Sequence, residues 1–175
     1  MTIMIRIGIC LTSMALCLWF GLSAQGFSAR KGGHCYTMDV PDYMTRTFAL
    51  NDAASLQYQD LSIPAFIIVI EDEKEELQSV DMKFSGPPEF LEFFVNDFKK
   101  DATDRRVSPI ASFTSNGKEH AQREVVWKEE TSEFFMLVTA VESAGHFYKI
   151  LCWAPTEARS RVEADFRRVS KSIRD

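Results

Sequence analysis

The chain has 175 residues, 46% of them hydrophobic and 26% charged, and a formal net charge of −5. That balance excludes an intrinsically disordered chain. The acidic excess also excludes a protein that grips nucleic-acid backbones through bulk charge.

Residues 1–25 read MTIMIRIGICLTSMALCLWFGLSAQ: one basic residue, Arg6, then an apolar run from Ile7 to Leu22, then Ser23, Ala24 and Gln25. This is the layout of an export signal over residues 1–24, with cleavage expected near Ala24 and Gln25 and the folded part periplasmic or extracellular. The run is shorter than the roughly 20 residues that span a bilayer with ease. An alternative reading keeps residues 7–22 as a membrane anchor with the domain still outside. Cys17 follows the bulky Leu16, a poor fit to a lipoprotein box. Residues 25–33, QGFSARKGG, read as a flexible mature N-terminus, and residues 34–175 as one domain.

Cys10 and Cys17 fall in the signal, which leaves Cys35 and Cys152. Two thiols in an oxidising compartment invite a disulfide, worth about 4.5 to 5 kcal/mol in the chain-entropy account of so long a loop. The other reading is two separate buried thiols acting as small hydrophobes.

From His34 to Val40 the chain alternates Tyr36, Met38 and Val40 with Cys35, Thr37 and Asp39, a strand pattern that stops at Pro41. Tyr43 or Met44 opens a further strand, Asn51 and Asp52 supply a turn, and Leu56 and Tyr58 alternate with glutamines as a strand with one wet face. Pro64 to Ile70, PAFIIVI, is apolar without alternation, as a central strand covered on both faces must be. The run Glu71 to Glu76 lacks the spaced ligands and turn glycine of a calcium loop and reads as the solvated end of that strand.

In SGPPEFLEFFVNDFKK, Ser85 is a candidate cap, the prolines suit a first helical turn, and Phe90, Leu91, Phe94, Val95 and Phe98 share one face. Phe93 falls at the edge of that stripe and is a candidate partner contact. Three or four antiparallel strands follow, with a hairpin turn at Asn116-Gly117 and a doubly buried strand from Phe134 to Val141. Pro155 and Thr156 start a closing helix whose stripe is Ala158, Val162, Phe166, Val169 and Ile173. Its outer side carries Arg161, Arg167, Arg168, Lys171 and Arg174, a candidate surface for an anionic partner as well as an ordinary solvated face.

The ending HFYKILCWAPTEARSRVEADFRRVSKSI, with Tyr148, Ile150, Phe166, Val169, Ser172 and Ile173 in register, resembles the PsbP-like family. The opening YTMDVPDYM, through Tyr36, Val40, Pro41 and Tyr43, is similar to that family's first strand, with Tyr43 where the family has Trp. The family includes the extrinsic photosystem subunit, the Ran-binding Mog protein and envelope proteins related to DcrB. The resemblance implies an α+β fold, a twisted antiparallel sheet flanked by helices in an α/β/α sandwich, and a non-enzymatic role.

No HExxH, GxSxG or phosphate-loop motif occurs, and His34, His120 and His146 are far apart in sequence. A metal site is open only where folding pairs the first and last strands and so brings His34 to His146. No catalytic, metal or cofactor residue is assigned. The leading expectation is an exported, non-catalytic accessory or protein-binding module of the cell envelope. Its expected partner is an envelope or secreted protein, with no nucleic acid and with membrane contact only through an uncleaved signal. A small-ligand or lipid-binding protein is the second class, favoured by a deep apolar pocket between helix and sheet, and a weak hydrolase the third. Intact-mass measurement of the chain recovered from an envelope fraction should show it beginning near Gln25; recovery at full length establishes the retained anchor instead.

Overall fold

The computed structural model describes residues 26–33 and 36–175. In chain order it forms β1 (Phe27–Gly32), β2 (Tyr36–Pro41), β3 (Thr45–Arg46), β4 (Leu56–Asp60) and β5 (Ala65–Glu73), then α1 (Lys74–Ser79) and α2 (Pro87–Asp97). Strands β6 (Thr103–Val107), β7 (Ala111–Ser115), β8 (Lys118–Glu129), β9 (Ser132–Glu142) and β10 (His146–Pro155) follow. A 3-10 turn at Thr156–Ala158 then leads into α3 (Arg159–Val169). The main sheet has the order β3-β4-β5-β10-β9-β8-β6, with β7 also on β8, and its neighbours are antiparallel. Strands β1 and β2 form a separate antiparallel ribbon. The fold is α+β.

Successive strand residues point to opposite faces, so a strand without polar alternation demands a layer on each side. On β5, Ile67 and Val69 enter one core while Ile68 enters the other; on β9, Phe135 and Leu137 oppose Met136 and Val138. The first core is closed by Val162, Phe166 and Val169 of α3 and by Tyr36, Met38 and Val40 of the ribbon. The second is closed by Phe90, Leu91 and Val95 of α2. The two amphipathic helices therefore cover opposite faces of one shared sheet.

The C-terminal tail ties the layers together. Thr37 and Arg174 exchange backbone hydrogen bonds of 2.7 and 2.9 Å, which adds the tail to the ribbon. The hairpin residues Asn116 and Gly117 both take positive φ, of 51° and 74°, as such a turn requires. From that turn the Asn116 side-chain amide donates to the carbonyls of Lys171 and Ile173 at 2.9 and 3.1 Å. Arg159 grips Glu124 of β8 through two hydrogen bonds of 2.9 and 2.8 Å and fixes the start of α3.

Several expectations need correction. The stretch expected to be flexible, residues 25–33, contains β1, whose backbone pairs along the whole of β2; its polar side chains hid a strand that is specified by main-chain bonding. Glu71 to Glu73 continue β5, and Lys74 to Ser79 form α1 with no buried residue. Gln57 is buried, not wet: its amide accepts from the Leu50 backbone at 2.9 Å and donates to the Asn51 carbonyl at 2.7 Å, pinning the loop before β4. Gly86, not Ser85, is the residue before α2, and Ser85 instead donates to Glu89 at 2.8 Å. Thr156 caps no helix; its hydroxyl donates to Glu133 at 3.1 Å. The strand at Tyr36 and the last strand do not pair, since β10 lies between β5 and β9.

Replacing Phe166, 0% exposed at the centre of the first core, with alanine should cost about 3 to 5 kcal/mol. Replacing Phe93, 53% exposed, should stay within about 0.5 kcal/mol. Urea unfolding of the two variants checks both values.

Candidate binding cleft

Helix α2 rests chiefly on β8, β9 and β10. Its Phe90 stacks on Phe147 with ring centroids 4.7 Å apart, and Phe98, just past its end, meets Trp127 edge-on at 5.5 Å. From the other side the loop held by Gln57 brings Leu50 and Asn51 over the sheet. Between helix and loop lies a cleft of about 350 Å³. Ile68, Ile70, Met136 and Leu151 come to it from the strands, Phe94 and Phe98 from the helix and its end, and Trp127 and Trp153 from the sheet. Trp153 is braced by Phe66, stacked at 5.0 Å, and Trp127 by Phe134, stacked at 5.5 Å.

The polar groups of the residues lining the cleft are the side chains of Asn51, Lys99 and Glu129 and the indole N–H groups of Trp127 and Trp153. Lys99 and Glu129 are exposed and form an ion pair from the end of α2 to the end of β8. The bond from the Lys99 ammonium holds the Glu129 carboxyl below its ordinary pKa. Beneath α2, Lys149 lies 5.3 Å from the Phe90 ring centre and forms an ion pair with Asp72 at 2.9 Å, so the charge of this cation is already matched. The site is an apolar slot with one charged pair at its rim.

The residues singled out from sequence are scattered. Arg167, Arg168, Lys171 and Arg174 come together around a shallow groove of about 480 Å³ beside Asp39, Asn116 and Ser172. Arg161 does not line it, and Phe93 lies on α2, across the sheet, against Phe84 at 5.4 Å. The proposed partner surface is therefore two surfaces. Cys35, His34, Ala24 and Gln25 lie outside the described residues. Cys152 is a buried free thiol whose pKa burial pushes up to about 12, so it stays protonated at neutral pH. His146 sits 3.9 Å from Glu73. Among the described residues no three His, Cys, Asp or Glu side chains gather as a metal-binding group.

His120 is 1% exposed, and its ring stacks on Phe113 at 4.9 Å. Its Nδ1–H donates to the Lys118 carbonyl at 3.0 Å, while Nε2 is buried without a partner. Burial holds this imidazole below its ordinary pKa, because a proton on Nε2 would have no acceptor.

The cleft escaped sequence analysis because it is made by what α2 leaves uncovered. Phe94, Trp127 and Trp153 each read as ordinary core residues. The signal that was present is the mismatch between one short helix and several long apolar strands.

No family model and no curated protein matches the chain by sequence. Its fold does match solved structures. The cyanobacterial PsbP (CyanoP) of Synechocystis sp. PCC 6803 superposes with a TM-score of 0.60 at 14% identity, covering 94% of this chain and 98% of that one. LpqN of Mycobacterium tuberculosis, described as involved in cell envelope biogenesis, superposes with a TM-score of 0.55 at 11% identity, covering 86% and 90%. The fold is PsbP-like. Most of the residues that carried the resemblance, Tyr36, Val40, Tyr148, Ile150, Phe166, Val169 and Ile173 among them, are buried, with Tyr43 partly so, which is why they report on fold.

Because folded His120 resists protonation while the unfolded residue titrates near pH 6.5, the unfolded state binds more protons below that value. Stability should fall as pH drops from about 6.5 toward the depressed folded pKa. Urea midpoints from about pH 7.5 to pH 5 should decline more steeply for the parent than for His120→Phe; parallel profiles would show that His120 titrates normally.

Proposed function

We propose that the chain is an exported, non-catalytic binding module of the cell envelope whose α2 cleft takes the acyl chain of an anionic amphiphile. The observation that carries this reading is the cleft: a slot between helix and sheet, apolar along its length, with Lys99 at the rim. Its volume of about 350 Å³ falls in the range of small-ligand pockets, about 300–1,000 Å³.

Physical chemistry favours hydrocarbon over peptide as occupant. An extended peptide carries an N–H and a C=O at every residue, and side chains such as Ile68, Met136 and Leu151 offer them no partner. An acyl chain has no such groups. An anionic head can then share the Lys99 ammonium with Glu129 at the open end. Lys99 and Glu129, the charged groups of the slot, already pair with each other, an arrangement suited to binding and not to proton transfer. The export signal expected over residues 1–24 and the fold shared with LpqN support an envelope setting.

Both tryptophans of the described residues, Trp127 and Trp153, line the cleft, so a contact quencher reports its occupancy. Dodecanoate brominated near its chain end should quench the fluorescence of the chain from Gly26 onward to a saturating level. Ile70→Phe, which fills the floor, should weaken binding on the order of tenfold, equivalent to about 1.4 kcal/mol. Unquenched parent protein, or equal quenching in the filled variant, rules out the cleft as the site.

A further inference from the structure

We infer that the outer layer built from α3 and the β1–β2 ribbon is a docking surface for an anionic phospholipid bilayer. This surface lies across the sheet from the acyl cleft and does not depend on that reading.

The first observation is charge segregation. In a chain of net charge −5, Arg167, Arg168, Lys171 and Arg174 gather around one open groove. Lys31 joins them: it is exposed and lies opposite Thr37, which bridges on its other side to Arg174. The carboxylates of this layer are each engaged: Asp39 binds Arg174, Glu163 binds Arg167, Asp42 pairs with Arg30 at 3.9 Å, and Asp165 accepts from the Tyr43 hydroxyl at 2.9 Å. Arg168 and Lys171 rest against aromatic rings instead, Arg168 3.8 Å from the Phe27 centroid and Lys171 5.6 Å from that of Phe113. The groove that the four cations line is open and shallow, which suits a plane of headgroups better than an enclosed single molecule.

The second observation is where the chain enters. Phe27, the first residue of β1, lies directly under Arg168, so the polypeptide that bears the apolar run Ile7 to Leu22 joins the fold at the basic layer. The four residues between Leu22 and Phe27 can span at most about 18 Å. A domain tethered to a bilayer through that run meets the lipid with this face, where the basic patch adds an attraction to anionic headgroups. Where the signal is cleaved, the same cations give a weaker, salt-sensitive association.

The test is vesicle flotation of the chain from Gly26 onward, which carries both cores and lacks the apolar run. It should float with phosphatidylglycerol-containing vesicles at low salt, stay behind with pure phosphatidylcholine, and be released as salt is raised. Each cation near the surface contributes roughly a fivefold factor, so Arg168→Gln with Lys171→Gln should lower the partition constant roughly thirtyfold. The control removes two exposed cations from the α2 side, Lys83→Gln with Lys100→Gln, and should bind as the parent does, with far-ultraviolet circular dichroism confirming that all three are folded. A parent that does not float, or two double variants that lose binding equally, overturns the inference and leaves the cleft untouched.

Discussion

Everything in this molecule follows from strands that are apolar on both faces. On β5, β9 and β10 the residues pointing up and the residues pointing down are alike mostly Ile, Val, Leu, Phe and Met, and the sheet is buried only when a layer sits on each side. The chain answers with two helices and a ribbon. Helix α3 and the β1–β2 ribbon lie together on one face and, with the C-terminal tail bridged to Thr37, close that core, leaving Phe135, Ile150 and Phe166 at 0% exposure. Losing the tail would therefore open the ribbon, the hairpin at Asn116 and the end of α3 at once.

The other face has less to cover it. A helix with its side chains is about 10 Å across, while neighbouring strands stand about 4.8 Å apart, so one helix shields two or three strands. Helix α2 has 11 residues and shields β8, β9 and β10. Strand β5 and the outer ends of β9 and β10 would lie bare but for the loop that Gln57 holds over them. The cleft is the remainder of this incomplete coverage. It persists because aromatic pairs stiffen its walls: Phe66 behind Trp153 and Phe134 behind Trp127 prevent the tryptophans from folding inward to fill the space.

What could be read from sequence follows the same division. Tyr36, Met38 and Val40 betrayed β2 by alternation, and the stripes of α2 and α3 betrayed their buried sides, because side-chain burial writes a period into the chain. Strand β1 wrote none: its pairing is a matter of backbone, and Ala29, Arg30 and Lys31 are exposed. Gln57 looked like solvent-facing decoration because a polar residue pinning a loop is indistinguishable, by type alone, from one facing water. The cleft and the basic groove belong to a further level, in which elements distant in sequence meet. Leu50, Phe94, Trp127 and Trp153 share no local pattern, and neither do Asp39, Asn116 and Arg174. Arg161, Arg167, Arg168, Lys171 and Arg174 were visible, but which four of them cluster depends on where α3 turns its side toward β2 and the hairpin.

A packed sheet between the two surfaces also sets how they relate. Its interior holds few voids and the central strands β10, β9 and β8 are bonded on both edges, so a substitution that alters the rim of the cleft has no soft path to the basic groove. The two proposed surfaces are then separate, with a fixed geometry between them. With the α3 layer against lipid, the sheet stands between that lipid and the cleft, and the slot opens on the far side. An acyl chain held there is screened from the supporting bilayer and offered to whatever lies opposite. That arrangement fits a module that carries or presents an amphiphile across an aqueous gap. It does not fit one that draws its ligand directly from the membrane it sits on, since extraction would require the cleft mouth and the basic face to share a side.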